Sequence, residues 1–532
     1  MRRLSIGRGY ACAAGVIALI VIAVSMSGRQ GPLIELYDYG EHVASIRELA
    51  ARPLEPHNPL LAGGGPTLRY TPYIMLLAAL VRFAGLSLPA VVTLASAGSF
   101  LLFAAGLYYF SRDYFKDEKM PLYALLVLLF CWGKPFGYSN EYCLRFFCYT
   151  AFYPSMVAFG ASLAGLSVLL RYVRSGRAAY CGWYALWAAA LFATHPLTGS
   201  FFFVAALVMV LAESRSVLRH LAGYAAGVAL ALALALLWPW YSFADAVALS
   251  TTAPWYDFKD YLYGSGTIFR AGPALLGIPV LVYLLKKGTN RFVSWGGLAC
   301  AGVYAAGGLV DVYLLDRYIF FSIFFLHTAL AWHLRQIDLL SIGTLKQLPG
   351  PFSSGAAART CWAVVLCCCV LYQAAKLGCE QAGFEVNFTQ RPMLQPYTNP
   401  ADAYRGIRDL VREGDVVLSD PLTAWLVPAF TGAKIVALYH NNPMVDGNER
   451  RKEDVRRFYE PQTTLSERRG ILRSYGVTHV LLNRDRMRDS FVNRVRNYRR
   501  LYALSSPLLE DMSVLGRTVF ESSTLILFQT EQ

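Results

Sequence analysis

Asp38, Glu41 and His42 crowd into one short stretch, LIELYDYGEHVASIREL at residues 33–49, just after the first long apolar run. Asp38 and Glu41 are three apart and Asp38 and His42 four apart, so on a helix the three side chains share a face and can converge on one reacting group. A carboxylate held within hydrogen-bond reach of a hydroxyl can take its proton, and an imidazole beside it can orient that carboxylate or help to bind a divalent cation. The plainer reading is an acidic, solvated turn to which Glu35 also contributes.

Other ionisable residues lie between apolar runs: Glu141 and Arg145 in KPFGYSNEYCLRFFCY, His195 in THPLTGS, and Asp311 and Arg317 in GGLVDVYLLDRYIFF. An ionisable group at membrane depth is costly enough to be a functional candidate by default. Each also has a structural reading. Glu141 and Arg145 are spaced as an ion pair along a helix, His195 before a proline can cap a helix, and Arg317 beside Asp316 can reach for the interface. Trp255, Tyr256, Tyr261 and Tyr263 in APWYDFKDYLYG read as an aromatic belt in preference to a sugar platform. Asp420 and His440 are the weakest candidates, since an Asp at a strand end often only caps a helix.

The elements that must position these residues follow from composition. The chain has 532 residues, of which 55% are hydrophobic and 16% charged, and its mean hydropathy is +0.38. Those values exclude an ordinary soluble enzyme and indicate a polytopic membrane protein. The net charge of +14 sits in short clusters between apolar runs, such as RYVRSGR at 171–177 and KKGTNR at 286–291. That pattern sets membrane topology and does not point to nucleic acid. Eight of the eleven cysteines (Cys12, Cys131, Cys181, Cys300, Cys361, Cys367, Cys368 and Cys369) fall in apolar segments and read as small buried hydrophobes; Cys143, Cys148 and Cys379 fall outside them, without a zinc-site spacing.

An uncleaved first helix with its basic N-terminus in the cytoplasm places the acidic stretch outside. Further spans are expected near 89–110, 121–134, 152–172, 178–194, 199–213, 221–241, 268–285, 292–312, 318–334 and 360–376, about eleven in all with the first. The segment 71–88 must not cross, because crossing would carry the basic loops outside; it is expected to lie in the outer interface. The transmembrane body is thus 1–376, with outer loops 28–88, 134–151 and 242–267, and the basic segment 335–359 is a cytoplasmic linker. Residues 377–532 read as an extracytoplasmic α/β domain with a mostly parallel sheet: a strand ending at Asp420, strands at 434–438 and 477–483, and a closing hairpin turning at Ser522 and Ser523.

An uncleaved first span, a D-x-x-E-H cluster opening the first outer loop, an interfacial helix in that loop, about eleven spans and an outer C-terminal domain together resemble the GT-C superfamily of polyprenyl-phosphate-sugar-dependent glycosyltransferases. The resemblance implies an enzyme of the cytoplasmic membrane that moves a sugar from a lipid-phosphate donor to a glycan, lipid or protein acceptor. It implies a catalytic base at Asp38, with Glu41 as the alternative, a second acidic site residue at Glu141, and a donor-phosphate arginine at Arg317. The chain departs from the protein O-mannosyltransferase and aminoarabinose-transferase pattern in lacking an adjacent Asp-Glu pair and in placing Gly40 before Glu41, which leaves the choice of base open. The rival readings are a polysaccharide polymerase or ligase, and a transporter or flippase of lipid-linked sugars. The second would be expected to show an internal repeat and paired broken helices.

Overall fold

The computed structural model describes residues 3–28, 38–65, 67–245, 262–310, 313–340, 355–386, 393–396, 400–439, 445, 447–484 and 498–531. In chain order the first helices are α1 (Arg3–Ser27), α2 (Tyr39–Ala51), α3 (Pro72–Ala84), α4 (Leu88–Phe115), α5 (Met120–Phe130), α6 (Leu144–Thr150), α7 (Pro154–Ser175), α8 (Ala178–Thr194), α9 (Pro196–Glu213) and α10 (Val217–Leu236). They are followed by α11 (Gly266–Ala271), α12 (Gly277–Lys287), α13 (Arg291–Val310), α14 (Tyr318–Gln336) and α15 (Gly355–Gln381).

Among the described residues, nine helical stretches are long and apolar enough to cross a membrane, and the chain is a multi-pass membrane protein. These stretches coincide with nine of the eleven expected segments. All eleven segments are helical, but α5 has 11 residues and α8 has 17, which at ~1.5 Å per residue gives roughly 16 and 25 Å against a hydrocarbon core of ~30 Å. The segment expected to lie in the interface is α3, only 13 residues long, entered through a Thr71 cap and ended by Gly85 in the left-handed region (φ 65°).

The chain divides into two compact units, one of Met1–Ser27, Val92–Pro239 and Ser250–Ala382, the other of Gly28–Val91, Trp240–Leu249 and Gly383–Gln532. The first is helical. Its core is aromatic, with Phe201 stacked on Phe321 at 4.2 Å and Tyr142 on Phe159 at 4.7 Å. Helices α4 and α7 pack backbone to backbone, so that a Cβ on Gly106 would lie 2.5 Å from the Gly160 carbonyl. At one end of this unit the basic connections assemble on a few carboxylates: Arg335 on Asp117 at 2.8 Å, Lys119 on Asp338 at 3.1 Å, and Arg171 on Asp113 at 2.9 Å. The cysteines only partly follow expectation. Cys131, Cys300 and Cys369 are buried, whereas Cys12, Cys361, Cys367 and Cys368 are exposed, because they lie on helix faces that the rest of the chain does not cover.

The second unit carries a five-stranded sheet in the order β4-β3-β5-β7-β6, with a separate antiparallel pair β1 (Phe384–Val386) and β2 (Leu394–Pro396). Strand β3 (Val416–Leu418) runs parallel to β4 (Lys434–Ile435) and β5 (His479–Asn483), whereas β6 (Gly516–Glu521) and β7 (Leu525–Thr530) add an antiparallel hairpin. The sheet is therefore mixed where a mostly parallel one was expected, since a tight turn can only return the chain antiparallel. That turn is at Ser522, whose amide donates to the Leu525 carbonyl at 2.8 Å. The strand expected at 434–438 stops at Ile435.

The first outer segment belongs to this second unit, where the sequence had assigned it as a loop of the N-terminal body. The Ile435 amide donates to the Leu60 carbonyl at 2.7 Å. Lys434 Nζ reaches both Glu48 Oε2 at 2.8 Å and the Asn58 carbonyl at 2.6 Å. Arg47 donates to the Ala429 carbonyl at 3.0 Å. Glu48 is buried, which would raise its carboxyl, but Lys434 and Arg52 outweigh the burial and hold it below the usual range.

Candidate active site

Asp38 precedes α2 as its N-cap residue, and its carbonyl accepts from the His42 amide at 2.9 Å. The first turn of α2 lies against the backbone of Trp425, so close that a Cβ on Gly40 would stand 2.6 Å from the Trp425 carbonyl oxygen. A glycine before Glu41 is thus demanded by packing within this unit. Glu41 and His42 are buried at 5% and 2% exposure, while the Asp38 side chain keeps 30%.

What gathers the carboxylates is Arg69, which the sequence reading missed. Its guanidinium reaches Asp38 Oδ2 at 3.0 Å and Glu41 Oε2 at 2.5 Å, with a further bond from Nε to Glu41 at 2.7 Å. Burial raises the Glu41 carboxyl above the usual carboxylate range, with Arg69 opposing and Asp38 adding to the rise. Burial would lower the Arg69 guanidinium, but the two carboxylates outweigh it and hold it above its ordinary value. The available signal was an arginine in TLRYT at the entry to α3, within the same outer segment. Arg69 already stands between the two carboxylates with its own positive charge, and among the described residues no group of three His, Cys, Asp or Glu is placed to hold a metal.

In the helical unit, Glu141 sits in the loop between α5 and α6 and is wholly buried. Its Oε2 accepts from the amides of Phe136 and Gly137, both at 3.0 Å, while Oε1 is buried with no hydrogen bond among the described residues. Burial pushes this carboxyl up to about 7 against the loop amides and Arg145. The loop closed by Glu141 presents two rings to two cations: Arg270 lies over Phe136 at 5.8 Å and Arg317 over Tyr138 at 5.0 Å. Both rings pack on Phe320, at 5.1 and 5.6 Å. Backbone bonds from Gly133 to the Arg270 carbonyl (3.1 Å) and from Lys134 to the Phe269 carbonyl (3.0 Å) fix the arrangement. Arg270 is a second residue that sequence reasoning passed over.

The remaining candidates are placed differently. Arg145 does not pair with Glu141 along the helix. It forks Glu380 in the last turn of α15, at 2.7 Å through both Nε and Nη2. His195 takes its structural reading, since it caps α9 by accepting from the Thr198 amide at 3.2 Å. Asp420 likewise caps a short helix through the Thr423 amide at 3.0 Å, and Tyr498 donates to it at 2.7 Å. Asp316 is buried and accepts from Tyr263 at 2.7 Å. Asp311, Trp255, Tyr256, Tyr261 and His440, with most of the 335–359 linker, lie outside the described residues.

The raised Glu141 carboxyl carries a pH prediction. A group protonated up to about 7 in the folded chain, against an ordinary 4.5, binds more protons folded than unfolded between those values, so stability falls as pH rises through that window. Thermal unfolding of the Glu141→Gln variant in detergent should show a flatter pH dependence than the parent between pH 4.5 and 7; an unchanged profile would rule the assignment out.

No protein-family model matches the chain, and no curated protein matches it. Solved structures do. ArnT from Cupriavidus metallidurans in the apo state aligns at TM-score 0.54 and 14% identity, over 98% of each chain. The archaeal oligosaccharyltransferase AglB from Archaeoglobus fulgidus, in complex with an inhibitory peptide and a dolichol-phosphate, aligns at 0.51 and 12% identity, over 98% of this chain and 74% of its own. The arabinofuranosyltransferase AftD from Mycobacteria aligns at 0.51 and 13% identity, over 98% of this chain and 40% of its own. At such identities the likeness is one of architecture, and it extends over almost the whole length: this membrane protein has the GT-C fold.

Proposed function

We propose that the chain is a glycosyltransferase that moves a sugar from a polyprenyl-phosphate donor to an acceptor on the outer face of the cytoplasmic membrane. The observation that carries this reading is the carboxylate pair: Asp38, part exposed, held in place by Arg69, with Glu41 buried behind it. A base must be reachable, and of the two only Asp38 is. The placement of the C-terminal unit outside the cytoplasm is supported by the basic connections gathered at one end of the helical unit. The fold shared with sugar transferases, one of them solved with a dolichol-phosphate, supports the donor class.

In the proposed step the acceptor oxygen attacks the anomeric carbon and its proton passes to the Asp38 carboxylate. The bond from that carbon to the phosphate oxygen breaks, and the lipid phosphate leaves with the electron pair. The resemblance assigns the charge developing on it to an arginine, Arg317 in this chain, since a planar guanidinium offers paired donors to phosphate oxygens. Arg69 holds the Asp38 carboxylate in place through the 3.0 Å ion pair. The deciding experiment offers the purified chain a panel of polyprenyl-phosphate sugars and looks for sugar transfer and release of polyprenyl phosphate. No turnover with any donor and acceptor preparation would defeat the proposal. Arg317→Lys should raise the donor KM about tenfold while the melting temperature holds, because a point charge replaces a fork; unaltered donor titration would count against the donor role.

A further inference from the structure

We infer that the helical unit binds the phosphate of an anionic phospholipid in a cleft at its basic end, between the ends of α4 and α7. The cleft has a volume of about 340 Å³ and is walled by Arg112, Lys116, Arg171 and Arg174, with Asp113 and Glu118 as its acidic members and Leu170 as an apolar wall. That size lies within the ~300–1,000 Å³ typical of small-ligand sites. Basic pockets between spanning helices on the cytoplasmic side are suited to anionic headgroups.

The charges do not cancel internally. Asp113 is shared: Oδ1 takes Arg112 through Nε and Nη2 at 2.9 and 2.7 Å, and Oδ2 takes Arg171 at 2.9 Å. One carboxylate thus faces two guanidiniums, which leaves a positive balance and also orients both. Arg112 is further fixed over the rings of Tyr108 and Tyr109, at 5.3 and 5.2 Å. Arg174 is anchored by bonds to the Asp113 and Tyr114 carbonyls at 2.7 and 3.5 Å that use two of its five donors. Charges that only set topology need no such fixing, because flexible side chains in water serve equally well. Lys116 adds a fourth cation to the cleft, and none of the described ion pairs uses its ammonium.

The shared chemistry is that of a phosphate ester, and a lipid is favoured over free phosphate by the surface that leads to the cleft. Leu94, Leu101 and Tyr109 on α4 are exposed at 54%, 55% and 46%. Their spacings of seven and eight put them on one helix face, and Arg112 lies one turn further along it. An acyl chain laid on that face ends with its headgroup among the arginines.

The test is made on the full chain in detergent after delipidation. Phosphatidylglycerol and phosphatidylcholine are added in turn, retained lipid is counted by native mass spectrometry, and inorganic phosphate is used as competitor. The parent should retain phosphatidylglycerol about tenfold better than phosphatidylcholine, and Lys116→Glu with Arg174→Glu should abolish the preference. Lys116→Ala alone should reduce it and is the safeguard should the double variant fold poorly, which melting without lipid would reveal. Equal retention of the two lipids by the parent, or an undiminished preference in the folded variants, overturns the inference. Displacement of the lipid by millimolar inorganic phosphate would instead mark a free-phosphate site and overturn the lipid assignment.

Discussion

Asp38→Asn is expected to lower sugar transfer by about 10²-fold or more, while expression and melting temperature hold, in keeping with the usual weight of a positioned general base. The substitution retains size and hydrogen bonding and removes only the proton-accepting charge. The side chain is part exposed, and the amide oxygen of Asn can still accept from Arg69, which Asp38 meets at 3.0 Å. Glu41→Gln should behave in the opposite sense, with a loss of stability before any specific loss of turnover, because Glu41 is buried against the same guanidinium at 2.5 Å. Removing one partner from a buried, hydrogen-bonded charge pair leaves the other uncompensated. If the Asn variant turns over normally and the Gln variant is well folded but inactive, the base is Glu41. If both are active, the carboxylate mechanism is wrong. Arg69→Lys should sit between them: the charge is kept, but one fork can no longer serve two carboxylates.

A second large effect is expected on stability at Arg145 and Glu380. Both are buried, at 4% and 0% exposure, and joined by two contacts of 2.7 Å, with Tyr149 donating to the same carboxylate at 3.0 Å. Arg145→Met or Glu380→Leu alone should cost roughly 3–5 kcal/mol, the usual penalty for stranding one buried charge, whereas the double replacement should recover most of that loss. Unfolding of the three variants in one detergent gives the coupling energy directly. Costs that simply add would mean that the pair is not an interacting unit. The pair ties α6, which follows the Glu141 loop, to the last turn of α15, so singly substituted chains should also lose turnover through loop disorder.

The sequence by itself determined the membrane class, the places of the helices and the strand content of the C-terminal part. Apolar runs and the basic clusters between them are local quantities, and a helix satisfies its own backbone wherever lipid surrounds it. It also put Asp38 and Glu41 forward together, since they are neighbours in the chain. Only the tertiary structure decided their partners. Arg69 lies 28 residues beyond Glu41, and the distance from Arg145 to Glu380 is 235 residues; at Glu141 the i,i+4 spacing pointed to a pair that long-range packing replaced. His195 and Asp420 show the other limit, because one residue type serves both chemistry and capping, and which it does depends on the amides that the fold brings near. The same holds for the first outer segment. Nothing in its local pattern shows that Leu60 will bond to Ile435 or that Gly40 must clear Trp425, because strand pairing and close backbone contact are set by residues hundreds of positions away.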